Sequence, residues 1–590
     1  MRLGQRTALD SQSEFRISHF AFRIFLRVRH TEDAARPAFS REDLLTARFR
    51  LAKVLPYQRS AKPFIGNLSL SILSGLLLVF SFPEWNFWSL GWVGAAPLIM
   101  AVARERRFWR SLFYGTISGT ILFAGSSSWV TYSMHNYGGL PLWLSYILLV
   151  ILAALLGVFT GLFGAVLALA VKQFGGWAIL AAPAVWVASE FARIEVTGTG
   201  WNALGYSQAF QPLVIQIARW GGVYAVSALL VTASTALVFA MIYLERLRGF
   251  LVLSGAGVLT ILVIFGGYGA VPIKSPVKSV SVIAIQPNVP ISGAWEDPSF
   301  EEQLLATLIS MSEQALRTET NGPEGVKREG PSLVIWPETP MNFKYERDAV
   351  LRARLAEFTR RNQIYLLINS WAYLSENDSS ETVFNSAMVI GPSGERISRY
   401  DKIALVPFGE YVPARGWIPF MDRIPALVAD VTAGRGDTTV MSAGEATLGT
   451  MICFEATRPD IARRMRRQGA SALVQVSNEA WFGPTAAPRQ FLAHSVFRAV
   501  ENNIELIRAT NSGLSAEISA NGYVDGETPI FDRATRRWQV MTVEEAADRH
   551  VTFYTRHGDV LAGACAGLSA LLGVGAGVSM KWKGRDSEDD

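Results

Sequence analysis

Apolar residues are concentrated in a series of runs between Leu68 and Tyr268, and one more run lies near the C-terminus. A helix needs about 20 mostly apolar residues to cross a bilayer, and helices satisfy their own backbone hydrogen bonds there. Buried helices of a soluble protein are the alternative, which so many successive runs disfavour. The pattern predicts eight membrane-spanning helices, near residues 68–81, 86–103, 111–131, 142–171, 177–192, 219–243, 250–268 and 558–580. The first and the fifth of these runs are short.

Basic residues occupy alternate loops between the predicted helices. The loops before the third, fifth and seventh helices are basic, at Arg104–Arg110, Lys172 and Arg246–Arg248. The loop at 133–139 contains no Lys or Arg. Short basic loops stay in the cytoplasm. This rule predicts that the basic loops and both termini are cytoplasmic and that residues 271–556 lie on the opposite face of the membrane.

Residues 1–63 are rich in arginine and lack the compact order of charged, apolar and small residues that a cleavable signal peptide has. A poorly ordered extension is predicted for this segment. A surface-lying amphipathic helix and an upstream start codon chosen in error are the alternatives.

Residues 271–556 have the pattern of a soluble domain in which strands and helices alternate. Short β-rich runs predict strands at 280–285, 332–336, 364–368, 386–390, 448–452 and 472–476. Helical periodicity predicts helices at 298–318, 346–361, 459–468 and 488–503. This alternation is typical of an α/β domain whose sheets are covered by helices.

Composition narrows the class of protein further. Half of the 590 residues are apolar and 18% are charged, compared with about 25% charged in an ordinary soluble protein. This balance argues against a purely soluble enzyme, a disordered chain and a coiled coil. The two cysteines, Cys453 and Cys565, are too few for a disulfide framework or a multi-cysteine zinc site. The net charge of +5 is explained by the basic loops, so a nucleic-acid partner is not expected.

Reactive side chains lie where predicted strands end. Glu338 follows strand 332–336, and Cys453 follows strand 448–452. Lys402 lies in a segment that continues to Pro413. Taken singly, each of the three has a structural alternative as a buried thiol or a solvated charge. A cysteine nucleophile needs a nearby base, and a pair with His494 stays open at this point.

Four short motifs occur in one order along the chain. They are Ile-Trp-Pro-Glu at 335–338, Lys-x-x-Leu-Val-Pro-Phe-Gly-Glu-Tyr-Val-Pro at 402–413, Ile-Cys-Phe-Glu at 452–455 and Ser-Asn-Glu-Ala-Trp-Phe-Gly at 477–483. Joined to the multispan segment, this set resembles the nitrilase superfamily and, within it, the apolipoprotein N-acyltransferase family. The resemblance runs from about Leu68 to Met580. Phe454 and Glu479 depart from the Tyr and Asp that are common in the family.

The resemblance implies a Glu338–Lys402–Cys453 triad in an α-β-β-α sandwich on the periplasmic side of eight helices in the bacterial inner membrane. The implied reaction moves an acyl chain from a glycerophospholipid, through a cysteine thioester, to the α-amine of a diacylglyceryl-cysteine that begins an apolipoprotein. No metal or cofactor is implied, and a monomer is expected. Supporting or substrate-binding roles are implied for four further residues, Glu410, Glu455, Trp295 and Asn385.

The resulting division of the chain has five parts. They are an N-terminal extension (1–63), seven membrane helices (64–270), the catalytic domain (271–556), the eighth membrane helix (557–580) and a cytoplasmic tail (581–590). Two other functions remain open. A membrane-tethered amidase would use the same triad with water as second nucleophile, and a scaffold or transporter would carry a degenerate enzyme-like domain.

Overall fold

The structure is a computed structural model. It describes residues 62–243, 249, 251, 253–260, 279–291, 298–320, 331–338, 343–373, 382–412, 431–436, 440–541 and 551–585. The extension predicted for residues 1–63, apart from its last two residues, lies outside the described residues, and so does Trp295.

The first part of the chain is helical. Its α-helices are α1 (Lys62–Ser81), α2 (Ala96–Glu105), α3 (Phe108–Ser126), α4 (Val130–Asn136), α5 (Leu142–Phe174), α6 (Ala182–Thr197), α7 (Pro212–Ile215) and α8 (Ala218–Tyr243). Short 3₁₀ helices lie at Trp88–Trp92, Gly176–Ala181 and Leu204–Gln208. Among the described residues, four helical segments are long and apolar enough to cross a membrane, namely Phe64–Ser81, Leu142–Phe174, Gly176–Thr197 and Ala218–Ile242. The protein is therefore a membrane protein, as predicted.

The prediction of one membrane-spanning helix at 86–103 is wrong. The segment contains the five-residue 3₁₀ helix Trp88–Trp92 and the ten-residue helix α2. A helix of ten residues is about 15 Å long, half the thickness of the hydrocarbon core. Pro97, which lacks a backbone N–H, lies in the first turn of α2, where a helix can begin but not continue. The run is apolar because α2 is buried among the other helices.

The two runs that were short in the sequence form longer helices. The first extends back to Phe64, and the fifth, predicted at 177–192, begins with the 3₁₀ helix Gly176–Ala181 and extends to Thr197. Of the seventh predicted span, residues 251 and 253–260 are described and are helical, and the rest lies outside the described residues. The eighth corresponds to α14 (Val560–Arg585), which packs against α6 and α5.

Helices α3 and α5 pack with their backbones in close contact. A Cβ atom added to Gly115 of α3 would lie 2.4 Å from the carbonyl oxygen of Thr160 in α5. In a bilayer, where lipid is as apolar as a side chain, such close packing through small residues holds helices together. This close packing holds α3, which connects the α2–α3 loop with the α4 region, against α5.

The soluble domain contains two six-stranded sheets. Its strands are β1 (Ser279–Gln286), β2 (Leu333–Ile335), β3 (Tyr365–Tyr373), β4 (Val383–Ile390), β5 (Arg396–Asp401), β6 (Met441–Ala443), β7 (Ala446–Ile452), β8 (Ala472–Ser477), β9 (Leu506–Thr510), β10 (Ala516–Ile518), β11 (Val524–Asp525) and β12 (Ala534–Met541). The first sheet has the order β12-β1-β2-β3-β4-β5, and the second has the order β11-β10-β9-β8-β7-β6. The central strands β1–β2–β3 and β7–β8–β9 are parallel.

Helices cover the outer face of each sheet. These are α9 (Pro298–Thr320) and α10 (Ala349–Asn362) on the first sheet, and α11 (Pro459–Arg467) and α12 (Ala487–Asn502) on the second. Strand β2 shows why layers form: Val334 packs with α9 and α10, whereas its neighbours Leu333 and Ile335 join the core shared with the second sheet. This α-β-β-α arrangement confirms the predicted nitrilase-like fold. The last short helix is α13 (Phe553–His557).

Helix α12 rests directly on the membrane helices. Gln490 accepts a hydrogen bond from the indole of Trp201 at 2.8 Å and donates one to the carbonyl of Ser126, also at 2.8 Å. Arg498 donates to the hydroxyl of Tyr206 at 3.1 Å. The second sheet is therefore the layer nearer the membrane part of the protein.

Candidate active site

The three residues of the implied triad come from the ends of three strands. Glu338 follows β2 after Pro337, which lacks a backbone N–H and cannot extend the ladder. Lys402 directly follows β5, and its N–H still donates to the carbonyl of Asn385 in β4 at 2.8 Å. Cys453 directly follows β7 of the second sheet. The site therefore lies where the two sheets meet.

Lys402 joins two carboxylates. Its Nζ lies 2.9 Å from Oε1 of Glu410 and 3.6 Å from Oε1 of Glu338. The lysine side chain is only 1% exposed, so its charge is screened little by water. Burial alone would lower the pKa of Lys402, but the negative charges of Glu410 and Glu338 outweigh it and raise the pKa. The raised pKa favours the charged form of Lys402 at neutral pH.

Asn385 holds both carboxylates in register. Its Nδ2 donates to Oε1 of Glu338 at 3.0 Å and to Oε1 of Glu410 at 2.9 Å. Its own Oδ1 accepts from Nδ2 of Asn369 at 2.7 Å, which fixes the orientation of the amide. The supporting role implied for Asn385 has a physical basis, because its amide donates a hydrogen bond to each of two negatively charged side chains.

The other oxygen of each carboxylate is held by the backbone. The N–H of Asn478, at the end of β8, donates to Oε2 of Glu338 at 3.1 Å, and the N–H of Val406 donates to Oε2 of Glu410 at 2.8 Å. Glu338 thus connects a loop of the first sheet with the second sheet. Within the described residues, no group of three or more His, Cys, Asp and Glu side chains could hold a metal ion.

Cys453 lies at a tight turn between β7 and the 3₁₀ helix Cys453–Thr457. Its φ is +50°, in the left-handed region that non-glycine residues rarely occupy. Such a conformation costs on the order of 1–3 kcal/mol and persists only where the surroundings fix it. The carbonyl of Cys453 accepts a hydrogen bond from Nε2 of Gln475 at 3.2 Å. The turn presents the thiol to the space between the sheets.

Cys453 is buried, with 8% of the residue exposed, and the pKa of its thiol depends on both neighbouring charges. Burial raises the pKa of Cys453, the carboxylate of Glu338 raises it further, and the cation of Lys402 lowers it, with a net pKa above the ordinary value. The resting group is therefore a neutral thiol, which needs a base when it reacts.

Glu455 is fully buried behind the site. Its Oε1 accepts from the hydroxyl of Tyr400 at 2.8 Å and from the N–H of Ile403 at 2.7 Å. Its Oε2 accepts from the N–H of Ile452 at 2.8 Å. Glu455 therefore connects the segment after Lys402 with the segment before Cys453.

His494 does not have the surroundings of a base for Cys453. Its ring lies 4.1 Å from that of Tyr206 and 5.2 Å from that of Trp201, centroid to centroid. Burial and the positive charges of Arg498, Arg508 and Arg193 lower its pKa well below the ordinary value. No hydrogen bond joins His494 and Cys453 among the described residues, so the Cys–His alternative loses its support.

Two residues near the site were not singled out from the sequence. Asn478 supplies the N–H that binds Glu338, and Gln475 binds the carbonyl of Cys453. Both lie in or directly after β8, and Asn478 belongs to the motif at 477–483. The signal that found Glu338 and Cys453, a polar residue at a strand end, applies equally to Asn478. Trp295 stays a prediction because it lies outside the described residues.

Comparison with known proteins identifies two matching domain families. Residues 74–236 match the apolipoprotein N-acyltransferase N-terminal domain, and residues 284–531 match the carbon-nitrogen hydrolase domain. Among solved structures, Nit3 of Saccharomyces cerevisiae, a member of branch 10 of the nitrilase superfamily, is 16% identical with a TM-score of 0.33, covering 47% of this chain and 94% of that chain.

Relatives named apolipoprotein N-acyltransferase match along most of their length. The protein of Geobacter metallireducens is 33% identical over 85% of this chain and 94% of its own. That of Azotobacter vinelandii is 31% identical over 81% and 90%, and that of Methylococcus capsulatus is 30% identical over 85% and 95%. The chain belongs to the apolipoprotein N-acyltransferase family.

Proposed function

We propose that this enzyme transfers an acyl chain from a glycerophospholipid to the α-amine of an S-diacylglyceryl-cysteine at the N-terminus of an apolipoprotein. The relatives' names give the acceptor and the type of transfer. The observation that carries the mechanism is the grouping of one buried cation, two carboxylates and one thiol at the junction of the sheets. This grouping supports a Glu338–Lys402–Cys453 triad.

In the first half-reaction, Sγ of Cys453 attacks the ester carbonyl carbon of the phospholipid while Glu338 accepts the thiol proton. Lys402 stabilises the oxyanion that forms on the carbonyl oxygen, an effect of about 2.7–4 kcal/mol for one well-placed donor. Collapse of this intermediate breaks the ester C–O bond. Glu338 returns the proton to the leaving alkoxide, so lysophospholipid departs and a thioester remains on Cys453.

In the second half-reaction, the α-amine attacks the thioester carbonyl and Glu338 accepts a proton from the amine nitrogen. Lys402 again faces the oxyanion. Collapse breaks the C–S bond, and Glu338 returns the proton to the thiolate of Cys453. The products are an N-acylated lipoprotein and the free enzyme.

The position of the site beside the membrane helices supports lipid substrates. The hydroxyl of Ser133, in α4, donates to the carbonyl of Trp481 at 2.8 Å, and the hydroxyl of Tyr137 donates to that of Ala480 at 3.1 Å. These carbonyls lie two and three residues after Asn478, whose N–H binds Glu338. A soluble amidase has no need for this connection, and a transporter has no need for the buried triad.

Transfer to an amine and hydrolysis of an amide give different products from the same thioester. We expect purified enzyme in phosphatidylethanolamine micelles with a labelled acyl chain to release N-acylated peptide when a diacylglyceryl-cysteinyl peptide is added. Without the peptide, free fatty acid should form at least about tenfold more slowly, because a buried thioester excludes water. Equal rates of fatty acid release with and without peptide would favour the amidase instead.

We also propose that the catalytic domain is periplasmic and the protein lies in the inner membrane, which the charge pattern and the packing of α3 support. The basic residues Arg104–Arg110 lie at the start of α3, whereas Ser126 at its other end accepts a hydrogen bond from Gln490 of the catalytic domain. The 19 residues of α3 are about 28 Å long, close to the thickness of the hydrocarbon core. If α3 crosses the membrane, the basic loop and the catalytic domain lie on opposite faces, which supports the proposed topology.

Reporter fusions test this topology. Alkaline phosphatase fused after Tyr268 should be active, since it folds only in the periplasm, and green fluorescent protein fused at Asp590 should fluoresce in the cytoplasm. A fusion within the α2–α3 loop, at Arg107, is the matched control and should give only the cytoplasmic signal. Cytoplasmic signals from both Arg107 and Tyr268 would contradict the topology and place Cys453 away from its acceptor.

A further inference from the structure

Arg508 is a fully buried arginine on β9 that the proposed mechanism does not use. Its Nη1 donates to Oε1 of Gln475 and to the hydroxyl of Ser495, each at 2.8 Å. Its Nη2 forms an ion pair with Glu479, and its Nε donates to the carbonyl of Leu514 at 3.1 Å. All three nitrogens of the guanidinium therefore have a hydrogen-bond or ion-pair partner.

One arm of this network ends at the nucleophile. Gln475, whose Oε1 accepts from Arg508, uses its Nε2 to donate to the carbonyl of Cys453 at 3.2 Å. Cys453 has the rare positive φ that only its surroundings can maintain. The hydroxyl of Ser495 also donates to Oε1 of Gln475, so the amide cannot exchange its oxygen and nitrogen without losing two donors.

The second arm ends at the base. Glu479, paired with Arg508, directly follows Asn478, whose N–H donates to Oε2 of Glu338 at 3.1 Å. Oδ1 of Asn478 also accepts from Nδ2 of Asn511 at 3.0 Å, which orients the same turn. Both Glu479 and Arg508 are fully buried, so the turn cannot shift without separating two charges in a poorly solvated place.

We infer that Arg508 is a positioning residue that sets the distance between the thiol of Cys453 and the carboxylate of Glu338 through these two arms. It does not touch the reacting atoms. A planar guanidinium binds Gln475 and Glu479 with two different nitrogens at once, which the single ammonium of lysine cannot reproduce in the same geometry. The inference rests on the proposed function, because it assigns Glu338 as the base for Cys453.

The test compares Arg508→Lys with Gln475→Glu. Arg508→Lys keeps the positive charge but loses the planar guanidinium that binds Gln475 and Glu479 together. Gln475→Glu keeps an acceptor for Arg508 but removes the side-chain donor that binds the carbonyl of Cys453. Two rates are measured on full-length folded enzyme: single-turnover acylation by phosphatidylethanolamine, and alkylation of Cys453 by iodoacetamide between pH 6 and 10. Both variants should acylate at least about tenfold more slowly, with the lipid concentration for half-maximal rate unchanged.

The pH profile separates positioning from a loss of stability. When the base is misplaced, alkylation of Cys453 should rise with pH, as is also expected for Glu338→Gln, because hydroxide must then remove the thiol proton. The matched control is Arg498→Lys, another fully buried arginine paired with a glutamate, Glu501, but directed at Tyr206. Its longest contact, 3.4 Å, reaches the carbonyl of Ala456. This variant should melt at a lower temperature and keep the wild-type pH profile.

Two results would overturn the inference. One is a wild-type acylation rate and pH profile in both Arg508→Lys and Gln475→Glu. The other is an equal loss in Arg498→Lys, which would reduce Arg508 to a structural residue. If Arg508→Lys fails to fold, Gln475→Glu decides the outcome alone. Absence of acylation in the wild-type enzyme would instead contradict the proposed function, so the two failures are distinguishable.

Discussion

Replacing Cys453 with alanine should abolish both acyl-enzyme formation and transfer to the acceptor peptide, a loss of at least about 10⁴-fold. The reason is that Cys453 is the only cysteine in residues 271–556, so no other thiol of the domain can form the thioester. Cys453 is the residue at the left-handed turn, and its thiol responds to the charges of Glu338 and Lys402. The measurement is transfer of a labelled acyl chain to a diacylglyceryl-cysteinyl peptide under saturating lipid.

Two variants sharpen this prediction. Cys453→Ser keeps a similar shape at the turn but has a much weaker nucleophile, so it should fold and be nearly inactive. Cys565→Ala is the control, because Cys565 lies in α14, far along the chain from the triad, and its loss should leave the rate unchanged. Normal turnover by Cys453→Ala would contradict the proposed thioester mechanism.

Replacing Glu338 with glutamine should reduce acylation by about 10²–10⁴-fold, the usual contribution of a general base. Glutamine keeps the size of the side chain and can still accept from Asn478, so the loop should keep its conformation. Burial, the largest cause of the raised pKa of Cys453, still acts when the carboxylate of Glu338 is gone, so few thiolates form at neutral pH without the base. The residual rate should therefore increase with pH, by about tenfold per unit while the thiol remains mostly protonated.

The control for this variant is a second buried carboxylate of the same domain. Among the described residues, Glu346 forms ion pairs with Arg396 and Arg399 and none with a residue of the triad. Glu346→Gln should lower the melting temperature and leave the acylation rate and its pH dependence unchanged. An unchanged rate in Glu338→Gln, or an equal loss in Glu346→Gln, would show that Glu338 is wrongly assigned as the base.

The strands that flank the site were predictable because their buried residues form short continuous runs. Strand β7, predicted at 448–452, extends over Ala446–Ile452, and β8, predicted at 472–476, extends over Ala472–Ser477. Strand β5, Arg396–Asp401, was not predicted, because its residues are mostly polar and partly exposed at an edge of the sheet. Periodicity detects burial, so an edge strand with few buried residues gives no signal.

The same limit explains the error in the membrane part. Helix α2 is as apolar as a membrane-spanning helix because it is enclosed by other helices, as the full burial of Leu98, Ile99 and Val102 shows. Apolar composition therefore does not distinguish contact with lipid from contact with protein. The signals that did distinguish them, Pro97 and the glycines before it, mark helix boundaries and were outweighed by the length of the run.

The candidate site was predictable only in part from the residues alone. The residues alone identified Glu338, Lys402 and Cys453 as candidates, and the resemblance added Glu410, Glu455, Trp295 and Asn385. The hydrogen bonds that hold these residues in one site join segments that are distant in the sequence. Asn478 reaches Glu338 across 140 positions of sequence, and Gln475 reaches Cys453 across 22. Such contacts follow from the packing of two sheets, which no local pattern encodes.

The most direct test of the central claim is the intact mass of the purified enzyme after incubation with a phospholipid of defined acyl chains and no acceptor. A covalent thioester mechanism predicts a mass increase equal to one acyl group, located by peptide mapping at Cys453, released by neutral hydroxylamine and lost when the acceptor peptide is added. An enzyme that transfers acyl chains to the peptide at full rate while Cys453 never carries an adduct, even at the shortest reaction times, would contradict the account.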